Sequence, residues 1–209
     1  GTVDFDPSGN TYNLTSSNDN TSSFISILAS DGSFIGAYQL GNGENGYSYA
    51  SSITLDPEGN IYTTGYFSGT VDFDPSVNTY NLTSSNGNDS SFISILGGDG
   101  SFIGAYKIGD GENGYSQANS ITLDTEGNIY TTGQFSGTVD FDPSEEEYNL
   151  NSPNNNSAFI TKLSPQEDIP TQPHSHIKSS GSSVSTIAKF LQEQYQRALA
   201  VGADTTPYL

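Results

Sequence analysis

Short runs in which apolar and polar residues alternate follow one another along the first 163 residues of the chain. Ser23–Leu28 and Ser33–Tyr38 flank an Asp-Gly dipeptide, and Ala50–Leu55 and Asn60–Thr64 flank a turn that contains Pro and Gly. A period of two residues is typical of half-buried strands, and these turn residues favour hairpins. The pattern therefore predicts four antiparallel strands.

A further pair of short runs precedes the first of these hairpins. Thr2–Asp6 and Thr11–Leu14 are separated by a turn bounded by Pro7 and Gly9, which predicts an additional, inserted hairpin. No helical periodicity occurs before about residue 183. The main body of the chain is therefore predicted to be all-β.

The strand pattern repeats along the chain. The octapeptide Gly1–Ser8 recurs at Gly69–Ser76 and at Gly137–Ser144, which gives a period of 68 residues. The first two copies are identical at 56 of 68 positions. Because the sequence begins inside a motif and contains no Met, it is either a processed product or a segment of a longer chain, and we expect the latter.

Four antiparallel strands that recur at a fixed spacing are typical of a propeller blade or a β-solenoid rung. The segments Gly59–Gly65 (GNIYTTG), Phe67–Pro75 (FSGTVDFDP) and Ser91–Leu96 (SFISIL) follow one another in this order. They resemble the secreted bacterial β-propeller repeat proteins, whose blades carry a GNVYVTG strand and a VDFDPG loop. The resemblance covers roughly residues 1 to 163. It implies an all-β chain of tandem four-stranded, antiparallel, propeller-like blades.

The resemblance also implies an order of strands within the blade. Ile53–Leu55 is expected innermost, followed by Ile61–Thr63 and Phe92–Ser94, with Phe102–Gly104 outermost. In this order the chain supplies nine blade strands, whereas a closed propeller needs at least about four blades of four strands. The ring is therefore incomplete, and we expect either that copies associate or that the array is longer.

Four aliphatic residues are predicted to be buried near the axis of the blades. Ile53, Leu55, Ile121 and Leu123 are the apolar members of alternating segments flanked by turn signals. Replacing Leu123 with Asp would bury an unpaired charge, so this change is predicted to cost several kcal/mol.

The last predicted strand, Phe159–Leu163, is expected to be an exposed edge strand. Its unpaired backbone groups can be satisfied by another chain, and Lys162 is a modest guard against indiscriminate pairing. The chain is therefore predicted to form a homo-oligomer or filament.

The charge balance excludes some partners. The chain has 24 acidic and 5 basic residues, a net charge of −19, so nucleic acid is a poor partner. No apolar run approaches the roughly 18 residues of a membrane-spanning helix, which predicts a soluble chain without membrane insertion. The absence of Cys excludes disulfides, thiolate zinc sites and a cysteine nucleophile.

Pairs of aspartates recur in the inserted hairpin. Each pair has the spacing i, i+2, so that in an extended segment both carboxylates project from one face. Oxygen ligands suit Ca²⁺, but the full spacing of known calcium loops is missing, and the carboxylates can instead cap turn amides. If the pairs bind cations, EDTA should lower the melting temperature and Ca²⁺ should restore it. The candidate ligands are Asp4, Asp6, Asp72, Asp74, Asp140 and Asp142.

Other motifs offer little chemistry. Gly41–Gly46 and Gly109–Gly114 match G-x-G-x-x-G, but a strand follows each of them, so a glycine-rich turn between blades is favoured over a nucleotide site. His174 and His176 lie in a Pro-rich tract that is typical of a solvated linker. No Ser-His-acid set or nucleophile elbow occurs, so an enzyme is not expected.

Four glycosylation sequons occupy matching repeat positions in the inserted hairpin and the loop that follows it. Their use depends on the host. The acceptor residues are Asn13, Asn20, Asn81 and Asn88.

The predicted organisation is three repeats followed by a tail. The repeats cover 1–68, 69–136 and, in part, 137–163, and a Pro/Ser-rich linker covers 164–182. Residues 183–209 are predicted to contain a helix with an apolar stripe that docks on a neighbouring subunit or on the open end of the blades. Its N-cap would be Ser183 and its C-cap Gly202.

Together these features favour a non-enzymatic, extracellular or cell-surface structural or adhesive protein that assembles through its incomplete blades. The alternative is a multivalent module that binds glycan or Ca²⁺ through loops repeated on one rim.

Overall fold

Strands and tight turns make up the described chain, which comprises residues 1–17, 20–43, 45–144 and 146–164 of a computed structural model. The predicted helix, its caps and both histidines lie outside these residues. The described strands are β1 (Thr2–Asp4), β2 (Asn13–Thr15), β3 (Ser23–Leu28), β4 (Phe34–Leu40), β5 (Tyr47–Leu55), β6 (Ile61–Ser68), β7 (Thr70–Asp72), β8 (Asn81–Thr83), β9 (Ser90–Leu96), β10 (Phe102–Ile108), β11 (Tyr115–Leu123), β12 (Ile129–Asp140) and β13 (Asn149–Leu163).

The second blade is a complete four-stranded antiparallel sheet. Its strand order is β5, β6, β9, β10, so each strand has the neighbours that the resemblance implied. The inserted hairpin, β7 and β8, forms a separate two-stranded sheet between β6 and β9 in the chain. The all-β, blade-like architecture predicted from the sequence is confirmed.

The sheets on either side of this blade have fewer strands. The first contains β3 and β4, with the hairpin β1–β2 beside it in the chain, and the third contains β11, β12 and β13. In the third repeat the inserted hairpin is continuous with the blade, because β12 and β13 extend through it. Within the described residues, the first sheet thus lacks the two inner strands and the third lacks the outermost strand.

A bulge and a glycine shape the inner strand pair of each blade. The register shifts between Ala50 and Ser52 in β5, and a Cβ added to Gly65 on β6 would overlap the carbonyl oxygen of Tyr49. The same arrangement recurs in the third blade, where a Cβ added to Gly133 would overlap the carbonyl oxygen of Gln117. The glycine in the TTG motif is therefore required by the close approach of two backbones.

Successive sheets bury their apolar faces against each other. One face of the second blade packs on the first sheet, and the other packs on the third blade. The first interface contains Ile25, Leu40, Ile61, Phe67, Phe92 and Leu96. The second contains Ile93, Ile95, Tyr106, Ile108, Ile121, Ile129 and Leu163. No blade of this size could bury both of its faces alone, so the core lies between the blades.

The prediction that Ile53 and Leu55 are buried is wrong. Ile53 is 55% exposed and Leu55 is 60% exposed, whereas their repeat equivalents Ile121 and Leu123 are buried and half-buried. Ile121 lies against β5 and β6 of the preceding blade, where its amide donates a hydrogen bond to Ser52 Oγ at 3.4 Å. The first sheet has no such inner strands, so nothing in the described chain covers Ile53 and Leu55.

Candidate functional site

The paired aspartates fold the inserted hairpins. In the second repeat, Asp72 Oδ1 accepts the amide hydrogens of Tyr80 at 2.8 Å and Asp74 at 3.0 Å. Asp74 Oδ1 accepts the amide hydrogen of Ser76 at 2.9 Å. One carboxylate therefore joins the two strands of the hairpin, and the other caps the turn between them.

The same hydrogen bonds occur in the other two repeats. The pairs Asp4/Asp6 and Asp140/Asp142 accept amide hydrogens at equivalent positions. Hydrogen bonds from Ser144 lower the pKa of Asp142. In the described ranges, no three side chains of His, Cys, Asp or Glu come together as metal ligands. The turn-capping interpretation accounts for these carboxylates, and cation binding stays a prediction.

The two glycine-rich segments are turns between blades, as predicted. Gly41 has a φ of 65° and Gly109 has a φ of 70°, conformations that glycine adopts without strain. The residue after each glycine forms a bridge to the inserted hairpin, Asn42 with Asp72 and Asp110 with Asp140. These turns therefore attach the hairpin to the end of the preceding blade.

A charged cluster lies beside the second of these turns. Asp110 accepts hydrogen bonds from Lys107 Nζ at 2.5 Å, from Ser90 Oγ at 2.6 Å and from Ser85 Oγ at 2.7 Å. Burial acts to raise the pKa of Asp110, but these donors outweigh it and lower the pKa to about 2. In the first repeat, Gln39 and Asn42 occupy the positions of Lys107 and Asp110.

A group of three tyrosines was not predicted from the sequence. It lies on the seam between the first sheet and the second blade, where side chains of the two sheets meet. Tyr49 stacks on Tyr66 with ring centroids 5.2 Å apart, and its hydroxyl lies 3.4 Å from Thr21 Oγ1. The ring of Tyr47 lies edge-on to Tyr49 at 5.7 Å. Tyr47 donates a hydrogen bond to Asp89 Oδ1, and burial together with this hydrogen bond raises the pKa of Tyr47 to about 12.

The next repeat replaces this stack with a hydrogen-bonded chain. Gln117 and Gln134 stand at the positions of Tyr49 and Tyr66, and Asp89 stands at that of Thr21. Gln117 Nε2 donates to Asp89 Oδ2 at 2.7 Å, and Gln134 Nε2 donates to Gln117 Oε1 at 3.0 Å. The signal was available in the sequence, because these three positions are among the 12 that differ between the two full repeats.

The sequons occupy two kinds of position. Asn13 and Asn81 are exposed on β2 and β8. Asn20 and Asn88 are partly buried, and their side-chain amides donate to carbonyl oxygens of the glycine-rich turns, such as that of Gly43 at 3.2 Å. Glycosylation stays a prediction at all four positions, with Asn13 and Asn81 the more accessible acceptors.

The third blade has an open groove along the outer edge of β13. Its lining includes Phe141, Tyr148, Leu150, Phe159 and Ile160. Among the described strands, β13 pairs with β12 and with no strand on its other side. The exposed edge predicted for Phe159–Leu163 is therefore present in the structure.

Comparison with known protein families identifies two segments of the chain. The model of the SBBP beta-propeller repeat matches residues 37–66 and 105–134. Each match begins in the middle of an outer strand, β4 or β10, and ends within the second inner strand of the next blade, β6 or β12. The resemblance drawn from the motifs is confirmed, and the chain carries tandem β-propeller repeats.

Neither a curated protein nor a solved structure matches the chain. Within the described part of the chain, no helix has the length and apolar character needed to cross a membrane.

Proposed function

We propose that this repeat protein is a non-enzymatic structural or adhesive component of the cell exterior, which self-assembles through its incomplete blades. The observation that carries the proposal is the presence of two incomplete sheets flanking one complete blade. Sheets of this kind are stabilised by neighbours on both faces, and an open sheet edge offers backbone groups for pairing.

The two ends of the blade array support association in different ways. At one end Ile53 and Leu55 project into the space where inner strands of a preceding blade would lie. At the other end Ile160 is 78% exposed, although its repeat equivalent Ile93 is completely buried against the third blade. Exposed aliphatic side chains at positions that are buried between blades favour contact with further blades.

Sedimentation velocity over a concentration series tests the proposal. Self-association is expected at tens of micromolar, a range chosen for weak interfaces. Ile160→Asp should weaken it, because the change places a charge on the exposed face without removing a buried side chain. Val77→Asp is the matched control, since Val77 is fully exposed on a hairpin loop. A wild-type chain that stays monomeric throughout the series would refute self-assembly.

Salt and cations provide a second measurement. The chain carries a net charge of −19, so assembly is expected to strengthen as salt screens the repulsion between copies. EDTA at constant ionic strength then separates screening from specific cation binding at the aspartate pairs. Unchanged melting and assembly in EDTA would exclude a role for Ca²⁺.

The second candidate is a multivalent module that binds glycans or Ca²⁺. Its glycan form is favoured by the group of Tyr47, Tyr49 and Tyr66, because Tyr49 is 44% exposed and flat aromatic surfaces beside polar groups suit sugar rings. Glycan-array binding that is lost in Tyr49→Gln, the residue of the next repeat, would support it. Absence of any glycan signal would refute it.

The extracellular location rests on the resemblance to secreted repeat proteins. Fractionation of the native host, with detection of the chain in the medium or on the cell surface, tests it directly. Recovery from the cytoplasm alone would contradict this part of the proposal.

A further inference from the structure

The groove along β13 has the shape and lining of a position for one more strand. We call this position, beside the third strand of a blade, the seat of the outermost strand. In the second blade the corresponding seat is filled by β10, whose Phe102 pairs with Leu96 and whose Ala105 pairs with Ser94. The hairpin of that repeat closes the seat, because the ring of Tyr80 packs on Phe102 with centroids 4.9 Å apart. In the first repeat, Tyr12 packs on Phe34 of β4 in the same way at 5.0 Å.

The third repeat has the seat and lacks the strand among its described residues. Tyr148, the equivalent of Tyr80, is 65% exposed. The groove that it borders is lined by the equivalents of residues that pack in one cluster with Phe102 and Ala105 in the second blade. Phe141 and Phe159, with ring centroids 4.7 Å apart, form its floor as Phe73 and Phe92 do in the second blade. The sequence after Leu163 reads SPQEDIP and lacks the FIGAY pattern of β4 and β10.

The geometry points to a strand-acceptor site at this groove, which binds an extended peptide segment of the Phe-x-Gly-Ala-Tyr type by β-augmentation. Backbone pairing with β13 supplies affinity, and side-chain pockets supply specificity. The site deepens the proposed association, because it names what one incomplete blade accepts, and it rests on that proposal only for the source of the strand.

The repeat equivalence fixes the expected register. By analogy with the second blade, the Phe of the incoming strand pairs with Leu163 and packs on Tyr148, and its Ala pairs with Thr161. Small residues fit best at the centre of the strand. In β10 a Cβ on Gly104 would lie 2.8 Å from the hydroxyl of Tyr106, and Ala105 is completely enclosed.

One substitution that introduces a charge distinguishes the acceptor from the completed blade. Lys162 stands where the second blade has Ile95, and its ammonium lies 5.7 Å from the ring centre of Tyr130. This cation sits at the edge of the groove in a chain that carries only 5 basic residues. A strand with an acidic residue near its amino end should therefore bind more tightly than the same strand without that residue.

Fluorescence anisotropy of a labelled peptide tests the site on the full chain. The probe carries the sequence of residues 101–108, SFIGAYKI. We expect saturable binding that a scrambled peptide and a peptide with Ser in place of its Phe do not reproduce. A peptide N-methylated along the edge that faces β13 should also lose binding, because pairing needs the backbone N–H groups.

Matched variants of the protein locate the binding. Tyr148→Ser should weaken binding by about 3- to 10-fold, the range expected for loss of an aromatic contact. Tyr12→Ser is the control, since Tyr12 is an exposed tyrosine at the same repeat position whose seat is already filled by β4. Equal effects of the two changes, or no saturable binding to the full chain, would overturn the proposal.

The outcome is separable from that of self-assembly. Peptide binding by a chain that sediments as a monomer would support the acceptor site and refute the proposed assembly. Self-association that is unaffected by excess peptide, in a chain that does not bind the peptide, would refute the acceptor site and leave the assembly standing.

Discussion

Ile53 and Ile121 provide a direct test of how blades stabilise one another. They occupy the same repeat position in the closely similar segments ASSITL and ANSITL, yet Ile53 is 55% exposed and Ile121 is 5% exposed. Truncation of a buried Ile to Ala leaves a cavity and costs about 2–5 kcal/mol. Ile53 has less than half of its surface buried, so the loss there should be at most about 1 kcal/mol.

Urea unfolding followed by far-UV circular dichroism measures the free energy of unfolding of both variants. We expect Ile53→Ala to be more stable than Ile121→Ala by about 2 kcal/mol. A chain of this size shifts its melting temperature by about 2–4 °C per kcal/mol, so thermal scans should separate the variants as well. Each variant should be measured at two protein concentrations. If a second copy covers Ile53, the loss of stability in Ile53→Ala would be larger at the higher concentration only. Equal losses at low concentration would refute the view that inner strands of a preceding blade bury this position.

Three further changes test single contacts. Asp110→Asn combined with Lys107→Gln restores the side chains of the first repeat and should flatten the pH dependence of melting between about pH 4 and 2. As the pH falls through this range, the wild type loses at most about 2 kcal/mol of its free energy of unfolding, because the pKa of Asp110 is about 2 in the folded state and 3.8 in the unfolded state. Gly133→Ala should cost about 1–3 kcal/mol by overlap with a β11 carbonyl, whereas Gly9→Ala, which has open space, should leave the melting temperature unchanged. Thr131→Val should be neutral or stabilise by about 1 kcal/mol in urea unfolding, because the buried Thr131 hydroxyl has no hydrogen-bond partner among the described residues; a clear loss would indicate a partner such as a bound water.

Strand positions could be predicted because the signals for them are local. The alternation in Ser23–Leu28 reproduces the bounds of β3, and the Asp-Gly turn places the next strand within two residues of its observed ends at Phe34 and Leu40. The order of strands in the blade followed from motif order and resemblance. Both kinds of information are present in a short stretch of sequence.

Burial was harder to predict from the sequence, because it depends on what lies against a sheet. Nothing in the local sequence separates Ile53 from Ile121, and only the arrangement of the sheets shows that β5 and β6 cover the latter. The roles of the aspartates were likewise undecided by spacing. Hydrogen bonds from the amides of Tyr80 and Asp74 to Asp72 depend on the closed hairpin, which is a property of the three-dimensional structure.

The 12 differences between the two full repeats show which parts of a blade are free to change. The apolar faces between blades are kept almost intact, because each sheet must fit both of its neighbours. At the seams, side chains that touch one another change together. The stacked Tyr49 and Tyr66 become the hydrogen-bonded Gln117 and Gln134, and the neutral residues Gln39 and Asn42 are replaced by Lys107 and Asp110, which form an ion pair.

This division bears on both proposed functions. Association through blade faces would use the uniform part of the repeat, so any copy could serve as a partner for any other. Discrimination between ligands would instead have to come from the seams, where one blade presents aromatic rings and the next presents amides. A Tyr49→Gln, Tyr66→Gln variant should therefore alter ligand selection while leaving the assembly of blades unchanged.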